Sequence, residues 1–414
     1  MDRFAGTSAS VSLTRAISAG RDAFGGDWSP DRIAIAPGRI ELLGNHVDYN
    51  GGPVLAAAID RFVVVAAANE PHQHQSLRAV AADAPDEGIA AIDASALHEW
   101  RNPSPPPEVF DYARGLVAAL LERPSLRLNL PASIAIAGDV PIGFGVSSSA
   151  ALCVSLALAL ADGFASSQEV ILLAQGAEHR AGTPCGAMDQ SASVTGGVIA
   201  FDSATLGVER LSPPLGDLVF VVADSGVDRL VSASSYPRRI EESREALARA
   251  RQHLGMDISH LAALTYDQLS TLDRSGVLPD PLAQRARHIV EETARVHTGR
   301  ALMAVADWVR FGQLMTESGR SSATLYEISH PRVEELAAAA RDVTGVLGAR
   351  MMGGGEGGSV LILLPRGSVD ALRESLVSGY YRRYDMADRE GRVHICAFAP
   401  GAAVVSASEI MDRA

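Results

Sequence analysis

Apolar and polar positions in this chain sort into three textures. Over residues 150–161, Ala, Leu, Val and Cys follow one another, interrupted by Ser155 alone and with no charge until Asp162, so a helix there is apolar on nearly every side and buried. Stretches with apolar residues at helical spacing predict further helices over 11–24, 109–121 and 168–180, then over 236–254, 281–298, 301–311, 332–343 and 369–378. Short apolar and β-branched runs predict strands over 33–37, 54–59, 62–68, 133–137, 198–201, 218–222, 360–364 and 394–398, with one or two more between 79 and 92.

Between these elements lie stretches dense in turn residues: 45–52, 103–107, 182–190 and 353–358, the last with glycine at five of six positions. Strands and helices follow one another irregularly, which fits an α+β fold better than a doubly wound sheet. At 414 residues the chain is too long for one ordinary core, and a Pro/Gly patch at 213–216 marks a boundary between two domains, 1–210 and 211–414. There are no internal repeats.

Composition narrows the partners. The net charge of −13 excludes the basic stripes that nucleic acid requires. No N-terminal apolar run resembles a signal peptide, and the apolar run at 150–161 is too short to span a bilayer. Three cysteines (Cys153, Cys185, Cys396) have an odd count and no C-x-x-C spacing, so a reduced, cytoplasmic protein without a membrane partner is expected. All 36 basic residues are arginines. Without lysine, a P-loop phosphate site and Schiff-base chemistry are both excluded.

Four stretches carry candidate chemistry. In Asp139-Val-Pro-Ile-Gly-Phe-Gly-Val-Ser-Ser-Ser-Ala-Ala, a Pro/Gly turn hands over to three serines at the start of the buried helix. Serines are good N-caps, and a helix start preceded by glycines gathers free N–H groups and the positive end of the helix dipole, a place for a phosphate. A capped helix start without a ligand has the same appearance. Gly353–Gly358 is a second backbone-only loop, suited to close approach of main chain to a ligand or to another loop. Glu178 and Asp189 flank the small-residue loop at 182–190, and Arg39, His46 and Asp48 form a polar cluster suited either to a polyol or to a solvated surface.

Together these stretches carry a resemblance. Gly38-Arg-Ile-Glu-Leu-Leu-Gly-Asn-His-Val-Asp-Tyr-Asn-Gly-Gly resembles the sugar-binding signature of galactokinases. Pro141-Ile-Gly-Phe-Gly-Val-Ser-Ser-Ser-Ala-Ala resembles the phosphate loop of the GHMP kinase superfamily, and Gly348-Ala-Arg-Met-Met-Gly-Gly-Gly-Glu-Gly-Gly its third motif. Ala177-Glu-His-Arg-Ala-Gly-Thr-Pro-Cys-Gly-Ala-Met-Asp-Gln is similar to the galactokinase segment with the catalytic aspartate. With lesser matches between, the resemblance runs in order from about residue 20 to about residue 405.

The resemblance implies a two-domain GHMP kinase fold: an N-terminal ribosomal S5-like domain with a left-handed βαβ crossover, a ferredoxin-like C-terminal domain, and the site between them. It implies an ATP- and Mg²⁺-dependent enzyme that phosphorylates the anomeric hydroxyl of a sugar, galactose first; a monomer is expected. Carried over by position, Pro141, Gly143, Gly145, Ser147, Ser148, Ser149 and Ala150 would hold the ATP phosphates, and Ser149 and Glu178 the Mg²⁺. Asp189 and Arg39 would be the catalytic pair. Arg39, Asn45, His46, Asp48, Gly186, Asp189 and Tyr236 would contact the sugar.

Three departures bear on the substrate. Galactokinases carry a glutamate where this chain has Asn45, at a position the resemblance assigns to a hydroxyl at the far end of the sugar; a uronic acid, arabinose or an N-acetylhexosamine is the alternative acceptor. Glu356 stands among glycines where the family has an apolar residue, so it has to turn away from phosphate or find a partner. Arg332 replaces a family acid. A sugar sensor without turnover is the rival from another class, and the presence of both Arg39 and Asp189 speaks against it.

Overall fold

In the computed structural model, which describes residues 4, 6–70, 76–104, 106–130, 132–227, 235–386 and 391–405, runs that the sequence divides are joined. The predicted strand 33–37 continues through the arginine-bearing stretch as β1 (Arg32–Leu43), and 54–59 and 62–68 are one strand, β2 (Pro53–Asn69). The two pair antiparallel, with register shifts at Pro37/Arg39 and Glu41/Leu43. The first shift releases the Arg39 N–H from the ladder, and it donates instead to the Val146 carbonyl at 3.0 Å. An irregularity in the strand thereby fastens the sugar-type motif to the glycine–serine loop.

Around this pair an eight-stranded sheet forms. β3 (Ser76–Ala81), β4 (Ala90–Asp93), β6 (Ala132–Gly138), β8 (Val198–Asp202) and β9 (Gly207–Leu211) complete it, and β14 (Ala403–Val405) pairs along β1. The order is β14-β1-β2-β6-β3-β4, with β8 and β9 branching from β2; β3 and β6 run parallel, the other pairs antiparallel. The helix α1 (Ser8–Phe24) covers one face through Leu13, Ala16 and Ile17. On the other lie α2 (Val109–Leu121), α3 (Ser148–Leu160) and α4 (Ser167–Ala181). The uncharged α3 is the centre of that layer: Leu152, Val154, Leu156 and Leu160 are buried together, each contributing about 1.5–3 kcal/mol of burial. A two-strand pair, β5 (Arg127–Leu128) and β7 (Ala161–Asp162), closes its far end.

The chain then changes sheets. β10 (Leu218–Asp224), β11 (Gly348–Met351), β12 (Ser359–Pro365) and β13 (Val393–Cys396) form an antiparallel sheet in the order β11-β12-β10-β13. Its helical partners are α6 (Tyr236–Leu254), α7 (Tyr266–Ser275), α8 (Leu282–Ala304), α9 (Trp308–Thr324), α10 (Pro331–Arg341) and α11 (Val369–Leu376). Most of them pack on a second apolar cluster, which Val54, Met188 and Phe201 of the first half join, while Trp308, Phe311 and Met315 of α9 are buried with the first. We propose the domain division at this change of sheet, with β14 as a return to the first. The mixture of helix and sheet is the expected α+β class. Among the described residues no helix is long and apolar enough to cross a membrane.

Two sequence expectations need correcting. The segment at 182–190 does not stay a loop: α5 (Met188–Thr195) begins inside it, so Asp189 sits in the first turn of a helix, where the dipole favours an anion. Its small residues hid it, because Ser191 and Ser193 satisfy their hydroxyls on the carbonyls of Ala187 and Pro37. The predicted helices 281–298 and 301–311 are shifted, with the break at 305–307, where the Asp307 side chain accepts from the Arg310 N–H.

One close contact sets the spacing of α2 and α4. A Cβ at Gly115 on α2 would lie 2.5 Å from the carbonyl of Ala177, the residue before Glu178 on α4. Gly115→Ala forces the helices apart and costs about 1–3 kcal/mol. Chemical denaturation reads the loss; an unchanged midpoint would show that the contact relaxes freely.

Candidate functional site

The cleft forms where β1, the glycine–serine loop, α4, α5 and the 353–358 loop meet. Every site residue expected from the sequence lines it except Asn45 and Ala150. Both of these are fully buried.

Arg39 is the hub. Its Nε donates to Asp189 Oδ1 at 2.7 Å and its Nη1 to the Gly145 carbonyl at 2.6 Å. Burial alone would lower its pKa, but Asp189, Glu41 and Asp48 outweigh it and raise it, so the guanidinium stays charged. The other oxygen of Asp189, Oδ2, accepts from Ser147 Oγ at 2.5 Å. Ser147 occupies the N-cap of α3 with φ +60°, and its side chain makes no cap. The expectation of serine capping thus fails at this position, because the hydroxyl is turned to Asp189. The first N–H groups of α3 are left for another acceptor.

The two glycine loops touch. A Cβ at Gly358 (φ +77°) would lie 3.3 Å from the Gly143 carbonyl, and Gly353 and Gly354 also line the cleft. Glu356 accepts from the Ser235 N–H at 2.8 Å, at the start of α6, so its charge has a donor outside the glycine–serine loop. Arg332 stacks over the Tyr384 ring at 3.9 Å, a cation–π contact away from the cleft residues.

Beyond Asp189 the cleft is acidic. Glu178, 1% exposed, accepts from Gln190 Nε2 and from Ser149. Burial pushes its pKa up to about 7, and Asp189 adds to the shift. Asp48 is likewise pushed up to about 7, by burial first and then by Asp189. Gly186 is required beside it, since a Cβ there would overlap Asp48 Oδ2. The ring of His46 packs against Tyr236 at 5.1 Å and Tyr326 at 5.0 Å between centroids. Tyr49 and Tyr326 hydroxyls bond at 2.8 Å beneath them.

Asn45 is spent inside the protein. Its Nδ2 donates to Glu41 Oε1 (3.2 Å) and to the Gly353 carbonyl (2.8 Å), and its Oδ1 accepts from Ser322. The N–H groups of Gly44 and Asn45 both donate to Glu292 Oε1, and His288 Nε2 donates to the Asn45 carbonyl at 3.0 Å. Glu292, despite burial, is held at about 2 by Arg295, His288 and Arg350. Burial keeps His288 neutral, with its pKa down at about 4. The turn of the sugar-type motif is therefore gripped by α8 and α9 of the second half. Sequence reading misses these grips, because nothing in the local pattern around Glu292 or His288 distinguishes them from helix-surface residues. It also misses Glu41, although alternation along β1 places it on the same side as Arg39.

Comparison with known proteins follows the same geometry. A galactokinase galactose-binding signature matches residues 21–69, a GHMP kinase N-terminal domain residues 111–197 and a GHMP kinase C-terminal domain residues 300–382. The galactokinase of Roseiflexus sp. (strain RS-1) is 36% identical over 394 residues, 93% of this chain and 94% of that one. The chain belongs to the galactokinase family. A Thermotoga maritima galactokinase is 32% identical over 356 residues, 84% of this chain and 94% of its own. Among solved structures, Lactococcus lactis galactokinase complexed with galactose superposes with a TM-score of 0.82 at 25% identity, over 94% of this chain and 99% of that one. Methanococcus jannaschii mevalonate kinase shares the fold at a TM-score of 0.59 and 16% identity, over 90% of this chain and 99% of that one. As a family member the chain is a sugar kinase that uses ATP.

The acidic cleft sets a pH dependence. Glu178 is protonated more easily in the folded chain than in the unfolded one. Its burial contributes stability fully present below its ordinary pKa of 4.5 and lost as pH rises through about 7. Without nucleotide and metal, Glu178→Gln is expected to lack this loss and to gain about 1–3 kcal/mol on wild type between pH 5 and 8. Thermal unfolding over that range measures it, and parallel curves for the two proteins would refute the shift.

Proposed function

We propose that the chain transfers the γ-phosphoryl group of ATP to the C1 hydroxyl of galactose, giving galactose 1-phosphate and ADP. The observation that carries this reading is the Arg39–Asp189 pair at 2.7 Å. It lies where the galactose-binding signature meets the glycine–serine loop, with Glu178 and Ser149 alongside.

In this reading the amides of residues 143–150, that of Ser147 included, and the hydroxyl of Ser148 cradle the ATP phosphates at the start of α3, while the Ser147 hydroxyl stays on Asp189. Pro141 shapes the entry to the loop. Ser149 Oγ and the Glu178 carboxylate offer hard oxygen ligands already side by side, which fit Mg²⁺ with its remaining positions left to water and phosphate. Bound there, the ion would neutralise charge on the phosphate oxygens. Its presence would also hold Glu178 ionised against the cost of burial.

His46, Asp48, Gly186 and Tyr236 hold the sugar. Asp189 orients its C1 hydroxyl. A bond forms between the C1 oxygen and the γ-phosphorus as the bond to the bridging oxygen breaks, and the electron pair leaves with ADP. The hydroxyl proton passes to Asp189 late, since a loose transition state does not need early deprotonation. Arg39, held by Asp189 and Gly145, stabilises the negative charge spread over the moving group. Asn45 acts by holding the turn instead of by touching the sugar. A cytoplasmic monomer without nucleic-acid or membrane partners completes the proposal, in keeping with the net charge of −13 and three free cysteines.

An ADP-release assay across hexoses, pentoses, uronic acids and N-acetylhexosamines tests the acceptor, with galactose expected to turn over best. Asp189→Asn is expected to lower kcat by roughly 10²- to 10⁴-fold. Turnover like that of wild type in this variant would remove Asp189 from its role.

A further inference from the structure

Glu41 lies on β1 two residues beyond Arg39 and lines the same cleft. It is buried, and one of its carboxylate oxygens is committed. Oε1 accepts from Arg350 Nη2 at 2.9 Å and from Asn45 Nδ2 at 3.2 Å. Arg350 is fully buried and also donates to the Glu41 and Met351 carbonyls. The carboxylate is thus fixed in direction by three bonds on its backbone and one oxygen. Among the described residues no group donates to Oε2. Glu41 lines the cleft together with Arg39 and Asp48, and its charge acts on both.

We propose that Glu41 is a specificity-determining residue: its Oε2 accepts a hydroxyl of the sugar, and its charge bars acceptors that carry a carboxylate. The proposal rests on the reading of the cleft as a sugar-kinase site and names what that site selects.

The charge balance argues for it. Glu41, Asp48, Glu178 and Asp189 line the cleft, while Arg39 is its only arginine among the described lining residues, in a chain without lysine. A neutral polyol brings hydroxyl donors, which is what a surplus of acceptors needs. A uronic acid would bring a further negative charge into a partly desolvated space where like charges repel strongly. The residue that departs from the galactokinase pattern, Asn45, is not the one exposed to the acceptor. It donates to Glu41 and fixes it.

The test compares the wild-type enzyme with Glu41→Gln, which keeps an oxygen for Arg350 and Asn45 but replaces the free oxygen by a donor and removes the charge. KM for galactose is expected to rise about 10- to 100-fold, the loss of a hydrogen bond to a charged group. KM for ATP stays within about twofold, and galacturonate inhibits the variant at least about 10-fold more strongly relative to galactose than it inhibits wild type. Thermal unfolding is measured in parallel, and a midpoint that stays put while the sugar KM rises separates this role from support of Arg350. An unchanged sugar KM and unchanged galacturonate inhibition would overturn the proposal, as would KM values for sugar and ATP that rise together. Should wild type turn over another sugar and not galactose, the acceptor proposed above fails, and Glu41 is judged by the same comparison on the sugar that reacts.

Discussion

A single guanidinium faces the acids that line the cleft of this protein. Arg39 is bound to Asp189 on one side and to the Gly145 carbonyl on the other, and Glu41 and Asp48 both act on it. The acids around it cannot all be ionised and dry at once without that charge, which is why burial raises Glu178 and Asp48 toward neutrality. In the proposed reading, the sugar hydroxyls and a metal held on phosphate would relieve the imbalance. The binding of both substrates is thereby coupled to the electrostatics of the site.

Geometry at that centre depends on contacts from far along the chain. The turn after β1 adds to its own internal bonds, such as Gly52 N–H to the Val47 carbonyl, a set from far along the chain: Glu292, His288 and Ser322 bind its amides, its carbonyl and the Asn45 side chain. Arg350 and Gly353 reach it from the second sheet. Residues separated by roughly 250–300 positions thus fix the orientation of Glu41 and of the sugar-facing loop. The short approach of Gly358 to Gly143 does the same for the phosphate side. Such a cleft holds its shape only while both halves stay docked, and small residues at these crossings are what permits the docking.

Much of this was legible in the sequence, and the exceptions have physical reasons. The buried helix α3, the glycine loops and the acid pair at 178 and 189 were readable because composition and spacing alone mark them. Ser147 was read as a cap, since hydroxyls at helix starts usually cap; its hydroxyl instead goes to Asp189, an acceptor supplied by a different helix. Glu356 was read as needing to turn away from phosphate or find a partner, and it finds a backbone N–H at the α6 entry in place of the arginine that charge alone suggests. Asn45 was read as a sugar contact, and it is sealed among Glu41, Gly353 and Ser322.

The sequence by itself determined the family, the α+β class, the absence of lysine that leaves arginine as the only long cationic side chain, and the set of residues able to do the chemistry. Those follow from local composition and spacing, which survive in any arrangement of the chain. Only the tertiary structure decided which of two neighbouring polar residues, Glu41 or Asn45, looks into the cleft. That choice is made by Arg350, Glu292 and His288, whose distance along the chain leaves no local trace of the contact. Side-chain direction at a site is set by the partners that satisfy its polar atoms.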